Sequence, residues 1–457
     1  MAASTYALPN PSVTVPKLPR FWIWVLGVAL MGYALCGKGF AYVSIPPLYV
    51  AEIVLLLGLG CAACRPSAVW RAISVRYLSL PLVLFMVWGA ARTLPNLHEC
   101  GADALRDGVL WGYGTFAVLV FTVAGTGIHA LRIFVRRFYC FATLYPYLSA
   151  VALLIQIMGV AAPALPGVGF PVLSNKTGDI AVHLAGVSAF FLVGLLRARR
   201  VLWFVSGFLS ILICASGNRG AALSYLIAIS FVLLFSVNAR ALVLRFLLPI
   251  GLLLGATFFF DPEVRLHQGR EISLRQLVIN YTSVFTNLDD NPGNTEGTKR
   301  WRLMWWGRIV DYTVFGDYFW GGKGYGVNLT ISDGFKSKSG LLRNPHNAHM
   351  TVLARSGVIG LALWILLQGT WFVQVFKRRS RARRTGDRQW EALFLALAAY
   401  WIAFMINASF DVFLEGPMGG VWFWVVIGFG LAAVRVYDTY KGPNGARQLV
   451  WAPGEKS

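Results

Sequence analysis

Apolar residues in this chain run in long unbroken blocks and do not alternate. Phe21-Trp-Ile-Trp-Val-Leu-Gly-Val-Ala-Leu30 opens the first block, and similar blocks of about 15 to 25 residues recur to the C-terminal region. Strands of a membrane barrel would instead alternate over about ten residues. The blocks predict twelve membrane-crossing helices, near residues 21–36, 48–64, 77–91, 109–126, 138–160, 179–196, 201–215, 220–238, 241–260, 347–376, 390–407 and 417–436. The expectation is a single polytopic membrane domain over residues 1–457. One large insertion, residues 261–345, falls between the ninth and tenth spans. Within it, Glu263 to Phe285 and Thr298 to Val310 carry helical spacing. The second, with Trp301, Trp305 and Trp306, is expected to lie in the membrane interface with its rings at headgroup depth. The first block lacks a small-residue cleavage site and reads as a retained helix.

Composition strengthens this picture. Of 457 residues, 57% are hydrophobic and only 13% charged, with a mean hydropathy of +0.60. A soluble chain of that balance would have a largely apolar surface, so the predicted class is an all-α integral membrane protein. The formal charge of +21 invites a nucleic-acid reading, but its distribution argues against one. Arg65, Arg71 and Arg76, then Arg132, Arg136 and Arg137, then Arg197, Arg199 and Arg200, then Arg240 and Arg245, and finally the run from Lys377 to Arg384 all fall after alternate spans. That is the positive-inside pattern, which places these loops and both termini in the cytoplasm. The acids agree: Asp387, Glu391, Asp438 and Glu455 are the ones on the inner side, and nearly all others fall outside. The cysteines show no metal-ligand spacing. Cys36 and Cys100 both fall on the outer side, and a bond between them is left open.

The candidate chemistry gathers on that outer side. Arg219 stands in Gly217-Asn-Arg-Gly220, a very tight turn between two spans. It either snorkels to lipid headgroups or holds a phosphate bidentately. Arg302 is either part of a plain interfacial helix or a second cation for the same anion. Gly321-Gly-Lys-Gly-Tyr-Gly-Val-Asn328, which contains Lys323, lacks the strand–turn–helix setting of a nucleotide loop and reads as a turn for close backbone approach. The stretch Asn344-Pro-His-Asn-Ala-His349 precedes the tenth span. Asn344 is the expected N-cap with Pro345 in the first turn, so His346 would sit at the electropositive helix end. A histidine there is a structural cap, an anion ligand or a base. His349 and Asn347 are auxiliary candidates, and no carboxylate completes a metal set. Arg106 and Asp107 open the fourth span. Glu52, near the outer end of the second, is expected to pair with an arginine, because a lone charge in a membrane is costly.

In order and topological side, these residues resemble the O-antigen ligase and O-antigen polymerase family of bacterial membrane glycosyltransferases. The resemblance runs from about residue 37 to residue 430. It is carried by Gly37-Lys-Gly-Phe-Ala-Tyr-Val-Ser-Ile-Pro-Pro-Leu-Tyr-Val-Ala-Glu52, Arg106-Asp107, Asn218-Arg-Gly220, Arg302 to Trp306, Gly322 to Asn328, and His346-Asn347 with Ser356-Gly-Val-Ile-Gly360. It implies a type-C glycosyltransferase-like fold of about 12 transmembrane helices with one large periplasmic loop, in the bacterial inner membrane. It also implies transfer of a glycan from an undecaprenyl diphosphate carrier to an acceptor hydroxyl at the periplasmic face, without metal or cofactor. By motif position His346 would be catalytic, and Arg219 and Arg302 would bind the donor diphosphate. His349, Asn347, Arg106, Asp107 and Lys323 would be auxiliary. The acceptor would be lipid A-core or another glycan, lipid or protein, with membrane lipids as surroundings and no nucleic acid. One departure stands out: His349-Met350 occupies the place of the family's aromatic and Leu after His-Asn. A repeat-unit polymerase of the same family and a membrane transporter stay open as alternatives.

Overall fold

The computed structural model describes residues 15–45, 48–159, 162–164, 169–196, 201–260, 264–265, 271–272, 295–335 and 342–439. Fourteen principal helices follow one another: α1 Lys17–Cys36, α2 Val50–Ala63, α3 Arg76–Thr93, α4 Ala102–Gly112, α5 Gly114–Ala124, α6 Ile128–Ile157, α7 Thr177–Leu192, α8 Val201–Gly217, α9 Arg219–Phe235, α10 Val237–Phe260, α11 Thr295–Val314, α12 Ala348–Thr385, α13 Arg388–Ala408 and α14 Pro417–Thr439. A helix therefore lies over each of the twelve apolar blocks. Among the described residues, seven helical segments are long and apolar enough to cross a membrane, or up to nine if two bent pairs each count as one span. The bent pairs are α2 with the short helix Pro66–Ile73, at 98°, and α9 with Val237–Arg245, at 117°. Helices α7 and α8 are shorter apolar segments.

One continuous apolar core runs through the bundle, with Trp22, Phe116, Trp364, Trp371 and Trp424 almost fully buried. Close approach is steric in origin. A side chain at Gly428 of α14 would lie 2.4 Å from the Ala117 carbonyl oxygen of α5, so the two backbones pack directly. A second, smaller core of Trp305, Ile309, Leu329, Leu353 and Ala354 joins α11 to α12.

The loops separate into two sets at opposite ends of the bundle. At one end Arg92 donates to the Gly321 carbonyl at 2.8 Å, Asn96 to the Tyr325 carbonyl at 2.9 Å, and Arg343 meets Asp107 at 3.1 Å. At the other, Arg378 meets Asp438 at 2.6 Å, Arg379 meets Glu391 at 3.2 Å, and Tyr437 donates to Asp387 at 3.1 Å. These are the sets that charge distribution assigns to the outer and inner sides.

The insertion differs from expectation in two ways. Where Glu263 to Phe285 suggests a helix, Val264–Arg265 and Glu271–Ile272 pair as a short antiparallel ladder, and the rest of that segment lies outside the described residues. The Trp301 to Trp306 segment is helical, as α11, but its rings do more than rest among headgroups. Trp305 is fully buried and stacks on Phe335 with ring centroids 5.1 Å apart, and Trp306 donates to the Pro345 carbonyl at 3.0 Å. Burial against α12 gives each ring more contact than an interface would.

Candidate functional site

The entry to α12 sets the geometry. Its N-cap is Asn347, not Asn344: the Asn347 side-chain oxygen accepts from the His349 and Met350 backbone N–H groups at 2.9 and 3.1 Å. The helix therefore begins at Ala348, and His346 stands just outside it, not in its first turn. The Asn344 amide donates to Glu415 at 2.5 Å, so it is engaged across the site and cannot cap. His346 has φ +52°, the one described non-glycine residue in that region. Such a backbone costs about 1–2 kcal/mol and is held here by the cap on one side and the Trp306–Pro345 hydrogen bond on the other. The result aims the imidazole inward, with Nδ1 3.5 Å from Asp411 Oδ1 and the Trp301 ring 6.4 Å away.

Phe410 and Asp411, in the turn that ends α13, are where the separate elements meet. Arg302 of α11 donates from Nη1 to the Phe410 carbonyl at 3.0 Å. Gly220 of α9 lies under the Phe410 side chain, where a Cβ would come within 3.0 Å of the Phe410 Cβ. Arg219 is the first residue of α9, behind an Asn218 cap, so the same packing brings its helix start to this turn. Lys176, just before α7, places Nζ 2.9 and 2.8 Å from the two Asp411 oxygens. Burial pushes the Asp411 carboxyl up, but His346, Lys176 and the Val412 N–H together hold it well below the usual carboxylate range. For Lys176, burial pulls down while Asp411 and Asp179 pull up more strongly, leaving it raised. The turn thus carries a permanent carboxylate, ringed by cations.

The auxiliary candidates take structural positions. His349 receives the Trp364 indole N–H on Nδ1 at 3.0 Å, so its Nε2 carries the hydrogen and faces Ser409 Oγ at 3.1 Å. Asp107 is buried and holds Arg343 at 3.1 Å, Arg355 at 3.0 Å and the Gly326 N–H at 3.2 Å, whereas Arg106 beside it is 57% exposed. Lys323 is bound at 2.6 Å to both Asp333 and Ser332, with its ammonium over the Tyr312 ring. Glu52 pairs with no arginine among the described residues and accepts from the Tyr113 hydroxyl at 3.1 Å. Cys36 and Cys100 are free thiols. Among the described residues, no three His, Cys, Asp or Glu side chains group as metal ligands.

Lys176, Asp411 and Glu415 are absent from the sequence-based set. Glu415 is buried beside Asn344, and burial raises its carboxyl above the usual range against the opposing pull of Arg355, Thr351 and Asn344. The available signal was positional. Asn175-Lys-Thr-Gly-Asp179 and Ser409-Phe-Asp411 place charges at the outer ends of spans, where an unpaired charge has no plain structural reason.

Residues 204–365 match the family model described as O-antigen ligase. The matched segment contains Arg219, Arg302 and His346; Lys176 and Asp411 lie outside it. No curated protein matches the chain.

Proposed function

From a segment that matches the O-antigen ligase family, we propose that this chain transfers a glycan from an undecaprenyl diphosphate carrier to an acceptor hydroxyl on lipid A-core, at the periplasmic face of the bacterial inner membrane. In this reading twelve helices cross the membrane and both termini are cytoplasmic. The observation that carries the proposal is the meeting of Arg302, His346, Lys176 and the start of α9, with Arg219, on the Phe410–Asp411 turn at one end of an apolar bundle.

The chemistry follows from charge. The acceptor oxygen attacks the anomeric carbon while that carbon's bond to the diphosphate oxygen breaks, and undecaprenyl diphosphate departs with the bonding electrons. Arg219 and Arg302 stabilise the negative charge that collects on the leaving oxygen, each charge-assisted contact contributing about 1.5–3 kcal/mol. His346, with the Nδ1 hydrogen directed at Asp411, presents Nε2 to take the acceptor's proton. Asp411 then stabilises the imidazolium, a role that its permanent negative charge suits. The 3.5 Å separation favours His346 as base over His346 as phosphate ligand, since a carboxylate neighbour repels phosphate.

The transporter reading expects charged or broken helices that expose a midplane site. Helix α12 is broken at Gly357, but the chain's own Phe319 to Gly324 fills the break and Arg355 is paired with Asp107, so that charge and that break are structural. The test is a purified, reconstituted protein given undecaprenyl diphosphate glycan with either lipid A-core or a second repeat unit, in chelator. Product on lipid A-core is expected. Product only on the repeat unit makes it a polymerase, and donor crossing the bilayer without product makes it a transporter.

A further inference from the structure

The Lys176–Asp411 ion pair sits awkwardly inside an anion site. Asp411 is held ionised, yet its turn receives Arg302 and lies where a diphosphate would be bound, so its charge opposes the ligand. Lys176 cancels that charge by engaging both oxygens at 2.9 and 2.8 Å. The two partners are unequally placed: the Lys176 side chain is 41% exposed and that of Asp411 12%, so the ammonium faces the open side and the acid lies beneath it. Lys176 is also the cation best able to move. Its ammonium ends a flexible four-carbon stem just ahead of α7, while the Arg302 fork is tied to the Phe410 carbonyl. The charged groups around it come from several elements: Arg302 from α11, Asp179 from α7, His346 from the approach to α12, and Asp411 itself.

We propose that Lys176 is a third donor-binding cation, parked on Asp411 in the donor-free protein and transferred to the diphosphate when the donor binds. This rests on the glycosyltransferase reading. As Lys176 leaves, the Asp411 carboxylate is released to His346 alone. Donor binding thereby arms the base, and an acceptor hydroxyl is not activated in an empty site. Two ion contacts exchange, Lys176–Asp411 for Lys176–phosphate, and no covalent bond changes.

The experiment titrates undecaprenyl diphosphate, without glycan, into the full chain in nanodiscs for wild type, Lys176→Gln, Lys176→Arg, Asp411→Asn and Lys176→Gln with Asp411→Asn. Wild type binds; Lys176→Gln weakens binding about tenfold to hundredfold, the loss of one charge-assisted contact, and Lys176→Arg restores most of it. The loss caused by Lys176→Gln is larger in the Asp411→Asn background, because there the lysine no longer has to leave an ion pair. That background also guards folding, since it removes the carboxylate that Lys176→Gln would leave unpaired. Equal diphosphate affinity for Lys176→Gln and wild type, or a loss no larger in the Asp411→Asn background, overturns the role of Lys176 and leaves the donor reading intact. Failure of wild type to bind the lipid diphosphate overturns the donor reading and this role with it.

Discussion

At the scale of single residues, His346 separates backbone from chemistry. Its φ of +52° suits glycine, so His346→Gly removes strain while deleting the imidazole. The expected outcome is unchanged or higher thermal stability, by up to about 1–2 kcal/mol, with transfer slowed about 10²–10⁴-fold. A variant that melts early and stays active would place His346 in the architecture instead. The ion pair gives a pH prediction. The folded value of Asp411 is depressed, so its stabilising contribution is complete above the ordinary aspartate value of about 3.9 and is lost as pH falls through the lower folded value. The Lys176 value is raised, so its contribution is complete below the ordinary lysine value of about 10.4 and is lost as pH rises through the folded value. The melting-temperature gap between wild type and the Lys176→Gln, Asp411→Asn double variant should therefore stay constant from about pH 5 to 9, which melting curves across that range check. Sequence order alone pointed to Arg219, Arg302 and His346, because each stands in a local motif at a span end. Asp411 and Lys176 carry no local motif. They meet across a sequence separation that only the packing of α7 and α13 closes.

At the scale of elements, α12 is two helical pieces joined at Gly357, whose φ of +67° and ψ of −168° are open to glycine and little else. The break frees the Ala354 and Arg355 carbonyls, which accept the Lys323 and Gly324 N–H groups at 2.8 and 3.0 Å, and Phe319 accepts from Val358 at 2.8 Å. The glycine-rich segment is thus a splint for a broken helix. A Cβ at Gly357 would lie 2.5 Å from the Phe319 carbonyl oxygen, so Gly357→Ala should cost about 1–3 kcal/mol from backbone strain alone, read as earlier unfolding in mild detergent. Asp107 ties the same region down. Asp107→Ala leaves Arg355, 1% exposed, without its carboxylate and should cost about 3–5 kcal/mol, while Arg106→Ala, at an exposed site, should cost about 0–1 kcal/mol. Equal melting temperatures for the two variants would contradict this division. The sequence announced a turn of close approach at Gly321 to Gly326, and the structure supplies its partner. It misplaced the start of α12, because Pro345 and Asn344 look like a cap and first turn until Glu415 and Trp306 engage them from distant segments.

At the scale of the whole molecule, two charge patterns written along the chain reappear as two ends of one bundle. The apolar blocks were legible because lipid leaves backbone groups no partner but their own helix. The span count was less so, since bends of 98° and 117° and two short helices are set by neighbouring packing, not by apolar length. Reporter fusions check the orientation: a fusion after Thr385 should report the cytoplasm and one after Ser332 the periplasm, and the reverse would invert the site. The central claim is that Arg302 and His346 act as one transfer centre on the Phe410–Asp411 turn. Its most direct measurement is the metal-free rate of glycan transfer by purified wild type, Arg302→Ala, His346→Gly and the double variant, each shown to be folded. Each single change should lower the rate about 10²–10⁴-fold, with the double variant little slower than the worse single, as expected of groups that act as a unit. Folded single variants that transfer glycan at the wild-type rate would contradict the account.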